Sequence, residues 1–276
     1  MGPVRFPAMA DKPTTLHTTE ERRALRAVTF DLGGTLVEYE NVAWEELEAA
    51  GWRGMHAHLV AGQRFAGPPD DFAGAMMAVS ASRWQRAEQT YQSAHLRDIF
   101  EEGMGALGHP LPEPHEFEEL AERFHAATLD LVSVYDDALE TLAWLKQRGV
   151  KLALISNTVW PGELHTRDLR RFGLDEFFDT LTYSSETPHT KPHPSIFTQT
   201  LERLGGVSPA AAAHVGDRIV DDVQGAQRAG MKGILKAHPR RVDAPGIQPD
   251  ARINYLADLP SALERLFVIG TADERR

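Results

Sequence analysis

Four short polar clusters lie at or near the ends of predicted strands. They hold the side chains most suited to catalysis or ligand binding. They are Asp31 with Gly33, Gly34 and Thr35; Ser156 with Asn157; Lys191; and Gly216 with Asp217, Asp221 and Asp222. In an open parallel sheet, ligands bind beyond the carboxyl ends of the strands. We therefore expect the four clusters to meet in one site.

The chemistry that suits this set is phosphoryl transfer to a carboxylate. Asp31 would attack phosphorus and form an aspartyl-phosphate. Because two anions repel, a divalent cation must bridge them, and Asp31 and Asp217 offer the hard oxygen ligands that Mg²⁺ takes. Lys191 would balance charge on the phosphoryl oxygens. The hydroxyls of Ser156 and Thr35, with backbone N–H groups of the glycine turn, would donate hydrogen bonds to the same oxygens.

Each cluster alone has a more ordinary explanation. An Asp at a strand end is commonly a turn or helix-cap residue, and Ser-Asn is a turn signal. A single lysine is commonly a surface residue. Only the ordered set, one cluster after another at strand ends, favours a catalytic site.

The elements that must position these residues predict an α/β fold. Short apolar strands alternate with helices, which indicates a parallel sheet covered on both faces. The predicted strands are 27–30, 150–155, 180–183, 214–215 and 233–236, and the predicted helices are 136–147, 163–172, 194–204, 221–229 and 259–267. From about 41 to 132 the apolar periodicity is instead helical, broken into three or four helices at Pro68-Pro69 and around Pro110.

These patterns predict a Rossmann-like parallel sheet core with an inserted all-helical cap domain. We expect the core to comprise residues 23–37 and 135–276 and the cap residues 38–134. Residues 1–22 are polar and rich in Pro and Thr, which is typical of a disordered leader.

Composition excludes several classes of function. The 276 residues carry 40 acidic and 29 basic side chains, a formal charge of -11, and residues 38–134 hold 17 acidic residues, 6 arginines and no lysine. Such an acidic chain is unsuited to nucleic acid or anionic membranes. The absence of cysteine excludes disulfides, a thiolate nucleophile and cysteine metal sites. No apolar stretch is typical of a signal peptide or a membrane span. We expect a cytoplasmic monomer or homodimer.

The sequence around the four clusters resembles a known set of motifs. The runs are FDLGGTL at 30–36, LISNT at 154–158, KPHPSIF at 191–197 and HVGDRIVDDVQGA at 214–226. In this order they resemble the four motifs of the haloacid dehalogenase-like (HAD) hydrolase superfamily, and the helical block after the first motif is similar to the cap of its helical-cap (C1) subfamily. The resemblance covers about residues 26–267.

The resemblance implies a role for each matching residue. Asp31 would be the nucleophile and a metal ligand, and Asp217 a second metal ligand. Asp221 and Asp222 would support the metal, with Asp222 the better fit to the family's spacing. Lys191 would be catalytic and bind phosphate together with Thr35, Ser156 and Asn157. The implied cofactor is Mg²⁺ and the implied partner a small phosphorylated metabolite.

One position departs from the phosphatases of this family, which carry a second Asp two residues after the nucleophile, where this chain has Gly33. In the family that Asp protonates the leaving group and later activates water, which glycine cannot do. The backbone carbonyl of the same residue is a metal ligand in the family, and Gly33 keeps it. We therefore expect an intact metal site with weakened acid–base catalysis, a loss of about 10²–10⁴ in rate. Possible substitutes are His56, His58, His95, Glu38, Tyr39 or solvent.

Relatives with other chemistry fit less well. A lysine Schiff base from the cap is disfavoured because no lysine occurs from Pro13 to Leu145. Metal-free dehalogenases carry Tyr at the position where this chain has Gly33. A metal-free reaction would also leave the acidic cluster of this chain unexplained. A Mg²⁺-dependent hydrolase of small phosphate monoesters remains, with a low-activity or non-catalytic phosphate-binding or regulatory protein, or transfer to an acceptor other than water, as alternatives. Gly33→Asp is expected to raise activity on alkyl phosphates.

Overall fold

The structure, a computed structural model, describes residues 23–39, 42–113 and 115–270. The predicted leader, 1–22, lies outside the described residues. The strands within them are β1 (Ala27–Phe30), β2 (Val37–Glu38), β3 (Ser133–Val134), β4 (Lys151–Ser156), β5 (Thr180–Tyr183), β6 (Ala212–Gly216), β7 (Lys232–Lys236) and β8 (Ala251–Ile253). Six of them form a parallel sheet in the order β5-β4-β1-β6-β7-β8. The carboxyl ends of β1, β4 and β6 are therefore neighbours at one edge of the sheet.

The helices of the described residues fall into two groups. They are α1 (Trp44–Ala61), α2 (Pro69–Thr90), α3 (Leu96–Ala106), α4 (Glu116–Ala126), α5 (Ala138–Gln147), α6 (Gly162–Arg171), α7 (Pro194–Arg203), α8 (Gly225–Arg228) and α9 (Leu259–Leu266). The first four follow one another between β2 and β3 and form the helical insertion. The α/β fold with a parallel sheet and a helical insertion is thus confirmed. No helix in the described part of the chain is long and apolar enough to cross a bilayer.

Both faces of the sheet are buried, which explains its nearly continuous apolar strands. Side chains alternate between the two faces of a strand. Val28 and Leu154 accordingly belong to the larger apolar cluster on one face. Ala27 and Ile155 belong to a second cluster on the other face, where they meet Phe197 of α7. This double covering fixes the strand ends that carry the site.

The helical insertion packs on the same large cluster as one face of the sheet. In its interior the rings of Trp52 and Phe124 meet edge-on at 4.8 Å between centroids. Its acidic residues lie largely on the surface, where several pair with arginine, as in the exposed contact between Arg53 and Asp70. The acidity of this region is therefore that of a solvated helical surface.

A narrow ribbon joins the insertion to the sheet. β2 and β3 pair in antiparallel fashion, with Val37 opposite Val134 and Glu38 opposite Ser133. The predicted boundary residues 38 and 134 both lie in this ribbon. The chain thus leaves for the insertion and returns from it at one place.

The structure differs from the sequence prediction mainly in its shortest elements. β8 and the two-residue strands β2 and β3 were not predicted, because so few residues show no periodicity. The predicted helix 221–229 begins earlier, as a π-helical turn over Ile219–Gln224 that runs into α8. This turn brings Asp222 close to the site.

Candidate active site

The glycine turn after β1 carries Asp31 and holds it at the sheet edge. The Asp31 N–H donates to the Val215 carbonyl at 2.9 Å, which continues the pairing of β1 with β6. Gly34 has a φ of +77°, a conformation that favours glycine. A Cβ atom on Gly34 would also lie 2.4 Å from Asp217 Oδ2. Glycine at this position therefore permits both the turn and the close approach of Asp217.

A buried lysine joins two of the predicted carboxylates. Lys191 Nζ donates to Asp31 Oδ1 at 2.6 Å and to Asp222 Oδ1 at 2.6 Å. All three side chains are buried. The second oxygen of Asp222 accepts from the Arg218 N–H at 2.8 Å. The second oxygen of Asp31 accepts from the Thr35 hydroxyl at 3.3 Å. Four residues predicted to share a site are thus in direct contact.

The charges of this cluster depend on burial and on one another. Burial raises the pKa of Asp31 to about 6, against the opposing effect of Lys191. Burial alone would lower the pKa of Lys191, but the carboxylates of Asp222 and Asp31 outweigh it and raise that pKa above its ordinary value. Burial would raise the pKa of Asp222, but Lys191 and His214 hold it well below its usual range. At pH 7 Asp31 is therefore mostly a carboxylate beside a charged ammonium group.

His214, which the sequence prediction did not name as a site residue, contacts Asp222. Burial lowers its pKa, so that the ring is neutral at pH 7. Its Nε2 lies 3.2 Å from Asp222 Oδ1 and its Nδ1 lies 2.7 Å from the Thr29 hydroxyl. Because a carboxylate only accepts, Nε2 donates to Asp222 and Nδ1 accepts from Thr29. The series of hydrogen bonds from Thr29 through His214 to Asp222 holds the Asp222 carboxylate from the side of the strands.

Asn157 holds the lysine-bearing segment rather than facing the carboxylates. Its side-chain Nδ2 donates to the Lys191 carbonyl at 3.0 Å, and its Oδ1 accepts from the Lys191 N–H at 2.8 Å. Both halves of the amide, predicted to bind phosphate, are therefore engaged with the backbone. The neighbouring Ser156 lies at the end of β4 and is buried.

The three carboxylates form a group that fits a divalent cation. One oxygen from each of Asp31, Asp217 and Asp222 lies within 4.8 Å of the others. Asp217 Oδ1 is buried and has no hydrogen-bond partner among the described residues. Hard oxygen donors of this kind suit Mg²⁺. Asp221 lies outside the group, half-buried and 3.8 Å from Arg218.

The place of the family's second Asp is filled by an aromatic ring. A Cβ atom on Gly33 would lie 2.9 Å from Cδ2 and 3.2 Å from Cε2 of Tyr39. The Tyr39 ring packs edge-on against Trp160 and His165, with centroids 6.5 and 6.4 Å away. Its hydroxyl lies 3.3 Å from His165 Nδ1. Burial raises the pKa of Tyr39 well above its ordinary value, so the side chain is a neutral phenol.

The other side chains considered as substitute acids lie in the insertion and its linker. His56 Nε2 lies 2.9 Å from the Gly67 carbonyl inside the insertion. His58 lies 3.7 Å from Glu119. His95 is exposed just before α3. Glu38 in β2 accepts from the Tyr135 hydroxyl at 2.7 Å.

The insertion also contacts the segment that leads into Lys191. The Thr190 N–H donates to the Tyr91 carbonyl at 2.9 Å. Gln92 and His189 form an antiparallel bridge, and the Ser93 hydroxyl donates to a backbone carbonyl of the same segment. The connection between α2 and α3 therefore packs against the segment that precedes Lys191.

A parallel sheet of this order, with its carboxylates and lysine at one edge and helices inserted after β1, defines the HAD type of α/β hydrolase. The family model of haloacid dehalogenase-like hydrolases matches residues 25–230, and the chain belongs to this family.

Similar proteins of known name include two phosphatases. The chain is 30% identical over 181 residues to a glyceraldehyde 3-phosphate phosphatase from Methanopyrus kandleri, a match that covers 65% of this chain and 75% of that protein. It is 33% identical over 164 residues to a phosphoserine phosphatase from Thermus thermophilus, covering 59% of this chain and 61% of that protein. The chain thus spans less than two thirds of the second relative.

Two solved structures share the fold over nearly their whole length. A HAD phosphatase from Thermococcus onnurineus superposes with a TM-score of 0.61 at 26% identity, covering 88% of this chain and 100% of that chain. A 2-haloacid dehalogenase from Pseudomonas syringae pv. Tomato DC3000 superposes with a TM-score of 0.63 at 26% identity, covering 87% and 99%. Because the fold serves both chemistries, function has to be argued from the site.

Proposed function

We propose that this chain is a Mg²⁺-dependent hydrolase of small phosphate monoesters that acts through an aspartyl-phosphate on Asp31. The observation that carries the proposal is the buried cluster in which Asp31 contacts the Lys191 ammonium group and has an oxygen within 4.8 Å of oxygens of Asp217 and Asp222. Two relatives are named phosphatases of small phosphorylated metabolites. Such a cluster is suited to bind a divalent cation and a phosphate group beside Asp31.

The reaction has two displacements at phosphorus. Asp31 attacks with a carboxylate oxygen, and the bond from phosphorus to the leaving oxygen breaks, with the electron pair going to that oxygen. Water then attacks the phosphorus of the aspartyl-phosphate, which releases inorganic phosphate and restores the carboxylate. Lys191 neutralises the phosphoryl oxygens, and Thr35 and Ser156 donate hydrogen bonds to them.

A bound Mg²⁺ would reduce the repulsion between the nucleophile and the phosphate. The residues proposed to hold it are Asp31, the Gly33 carbonyl and Asp217, with Asp222 in support. Asp222 already accepts from Lys191 and the Arg218 N–H. We therefore assign it to holding the lysine and the cation site together. Asn157 acts through Lys191, whose backbone it holds.

The site favours leaving groups that need no proton. Gly33 has no side chain to donate one, and the phenol of Tyr39 has a raised pKa that makes it a weak acid. Nitrophenolate leaves without protonation, whereas a sugar alkoxide does not. We therefore expect p-nitrophenyl phosphate to be hydrolysed much faster than sugar phosphates.

The test is a panel of phosphate esters assayed with Mg²⁺, with Asp31→Asn as the control. We expect p-nitrophenyl phosphate turnover that chelation and Asp31→Asn both abolish, and a rate on sugar phosphates lower by about 10² or more. Intact-protein mass spectrometry of acid-quenched enzyme should detect phosphate on Asp31. Equal rates on both substrate types would contradict the account and indicate a proton donor elsewhere.

The alternative is a phosphate-binding protein with little or no turnover. The Tyr39 ring over Gly33 supports it, because that ring takes the place of the acid–base side chain. If no ester in the panel is hydrolysed while inorganic phosphate with Mg²⁺ raises the melting temperature, this alternative replaces the first proposal.

A further inference from the structure

Asp217 presents its two oxygens to different surroundings. Its Oδ2 accepts from Arg241 Nε at 2.6 Å, and its Oδ1, although buried, has no hydrogen-bond partner in the described part of the chain. The four carboxylate oxygens of Asp31 and Asp222 each accept at least one hydrogen bond. Among the described residues, Asp217 Oδ1 is thus the one oxygen of the three carboxylates that accepts no hydrogen bond, and it belongs to the side chain that Arg241 holds.

The segment that carries Arg241 follows β7 and forms a tight turn. The Arg241 N–H donates to the His238 carbonyl at 3.1 Å, and the Arg240 N–H donates to His238 Nδ1 at 3.3 Å. Because Nδ1 accepts, Nε2 carries the proton and donates to Glu38 at 3.1 Å. Arg240 also donates to the Val42 carbonyl at 2.9 Å. The turn is therefore anchored to the linker of the insertion. This holds the backbone from which the Arg241 side chain extends.

A guanidinium group beside a metal ligand has two opposing effects. Its positive charge repels an incoming cation and weakens binding. Its hydrogen bond fixes the carboxylate and so lowers the cost of orienting the ligand, an effect worth 10–100-fold in metal affinity at other sites. In this chain the hydrogen bond is on Oδ2, and the side chain of Arg241 is partly exposed while that of Asp217 is fully buried. The other oxygen, Oδ1, stays buried and without a hydrogen-bond partner in the described part of the chain.

We propose that Arg241 is a positioning residue for the divalent cation: it holds Asp217 by one oxygen so that the other faces the ion. This inference rests on the proposed function, which requires the cation. The signal was absent from the sequence motifs, because Arg241 lies outside the four runs that resemble the family.

The experiment measures the Kd of Mg²⁺ by calorimetry, with Mn²⁺ as a second probe, on four forms of the protein. They are the unmodified chain, Arg241→Gln, Arg241→Lys and Arg252→Gln. The last is the control, because it removes the same charge from an exposed ion pair with Asp243. We expect Arg241→Gln to bind Mg²⁺ about 10–100-fold more weakly, Arg241→Lys to regain part of the affinity, and Arg252→Gln to match the unmodified chain.

The sign of the change decides between positioning and repulsion. Loss of a positive charge alone would tighten Mg²⁺ binding, so tighter or unchanged binding in Arg241→Gln overturns the inference while leaving the proposed function in place. If the unmodified chain binds neither cation, both proposals fail. As a second readout, the Mg²⁺ concentration that gives half-maximal turnover of p-nitrophenyl phosphate should rise in Arg241→Gln together with the Kd, and an unchanged concentration would contradict the inference. If Arg241→Gln does not fold, Arg241→Lys tests positioning at constant charge: weaker Mg²⁺ binding supports the inference, and unchanged binding overturns it.

Discussion

The ring of Tyr39 lies where a side chain on residue 33 would begin, since a Cβ atom on Gly33 would lie 2.9 Å from Tyr39 Cδ2. Tyr39 follows β2 directly, so the ring comes from the linker to the insertion. Trp160 and His165 hold it edge-on. The absence of Asp at position 33 and the position of the Tyr39 ring are therefore linked. Introducing Asp at position 33 requires the Tyr39 ring to move.

Gly33→Asp alone should gain little, contrary to what the sequence suggested, because its carboxylate would have to displace a buried ring. We expect kcat/KM on a sugar phosphate to stay within a few-fold of the unmodified enzyme. Gly33→Asp combined with Tyr39→Ala should raise it by about 10², since the new carboxyl group, when protonated, then has room to donate a proton to the leaving group.

Tyr39→Ala alone is the control for opening the site. A full gain from Gly33→Asp alone would show that the ring is no obstacle. If neither Gly33→Asp nor the double variant gains activity, residue 33 does not limit the reaction.

Lys191→Met should destabilise the fold as well as abolish activity. It leaves Asp31 and Asp222 buried without their cation, and breaking a buried ion pair in this way costs about 3–5 kcal/mol. Urea unfolding at pH 7 measures the change. Lys146→Met is the matched control, because Lys146 pairs with Asp179 on the surface and its loss should cost less than about 1 kcal/mol. Equal losses would mean that Lys191 is not paired with these carboxylates in solution.

Asn157→Ala should slow catalysis through the position of Lys191. The variant removes both side-chain hydrogen bonds to the Lys191 backbone, and small displacements of a catalytic group cost up to about 10² in rate. We expect kcat on p-nitrophenyl phosphate to fall about 10-fold or more. Asn254→Ala, at an exposed asparagine after β8, should retain the activity of the unmodified enzyme. A change confined to KM would instead indicate that the amide binds substrate directly.

His165 should make stability depend on pH below about 6.5. Burial lowers its pKa to about 4, so between pH 6.5 and 4 the unfolded chain takes up a proton that the folded chain does not. Its contribution to the free energy of unfolding, about 3 kcal/mol in full, is present above pH 6.5 and is lost as the pH falls towards 4. The titratable groups that face the ring are Tyr39, Tyr183, Asp168 and His125.

Urea unfolding of the unmodified chain and of His165→Gln, at several pH values from 7 to 4.5, measures this contribution. The variant should show a shallower loss of stability with falling pH. His95→Gln, at an exposed histidine, should keep the original slope. Parallel slopes for the unmodified chain and His165→Gln would show that other groups cause the pH dependence.

The fold was predictable because the strands of a parallel sheet are buried on both faces. Such strands are recognisable in the sequence as short apolar runs. β1 and β5 match their predicted bounds, and the bounds of the other predicted strands shift by one or two residues. The two-residue strands of the linker and the edge strand β8 were not predictable in this way. Their position is set by tertiary contacts, such as those of the linker with Tyr135 and His238.

The candidate site was predictable where a residue follows a strand directly. Asp31 and Asp217 are of this kind, and Lys191 contacts Asp31 and Asp222 at the same edge of the sheet. Residues that act from a distance along the chain left no such signal. His165 lies on a helix face and Arg241 in an irregular turn, and only the folded chain brings them to Tyr39 and Asp217.

The paired linker strands have a consequence for engineering. Because Val37 and Val134 are direct neighbours, a short hairpin turn could rejoin the chain if the four helices between them were excised. A foreign lid could be grafted at the same two attachment points without altering the order of the sheet. Such a graft would need to shield the apolar surface around Trp160 and to replace the backbone contact that Tyr91 makes with Thr190. Exchanging the helical insertion could then change which substrate is accepted, while the carboxylates stay in place.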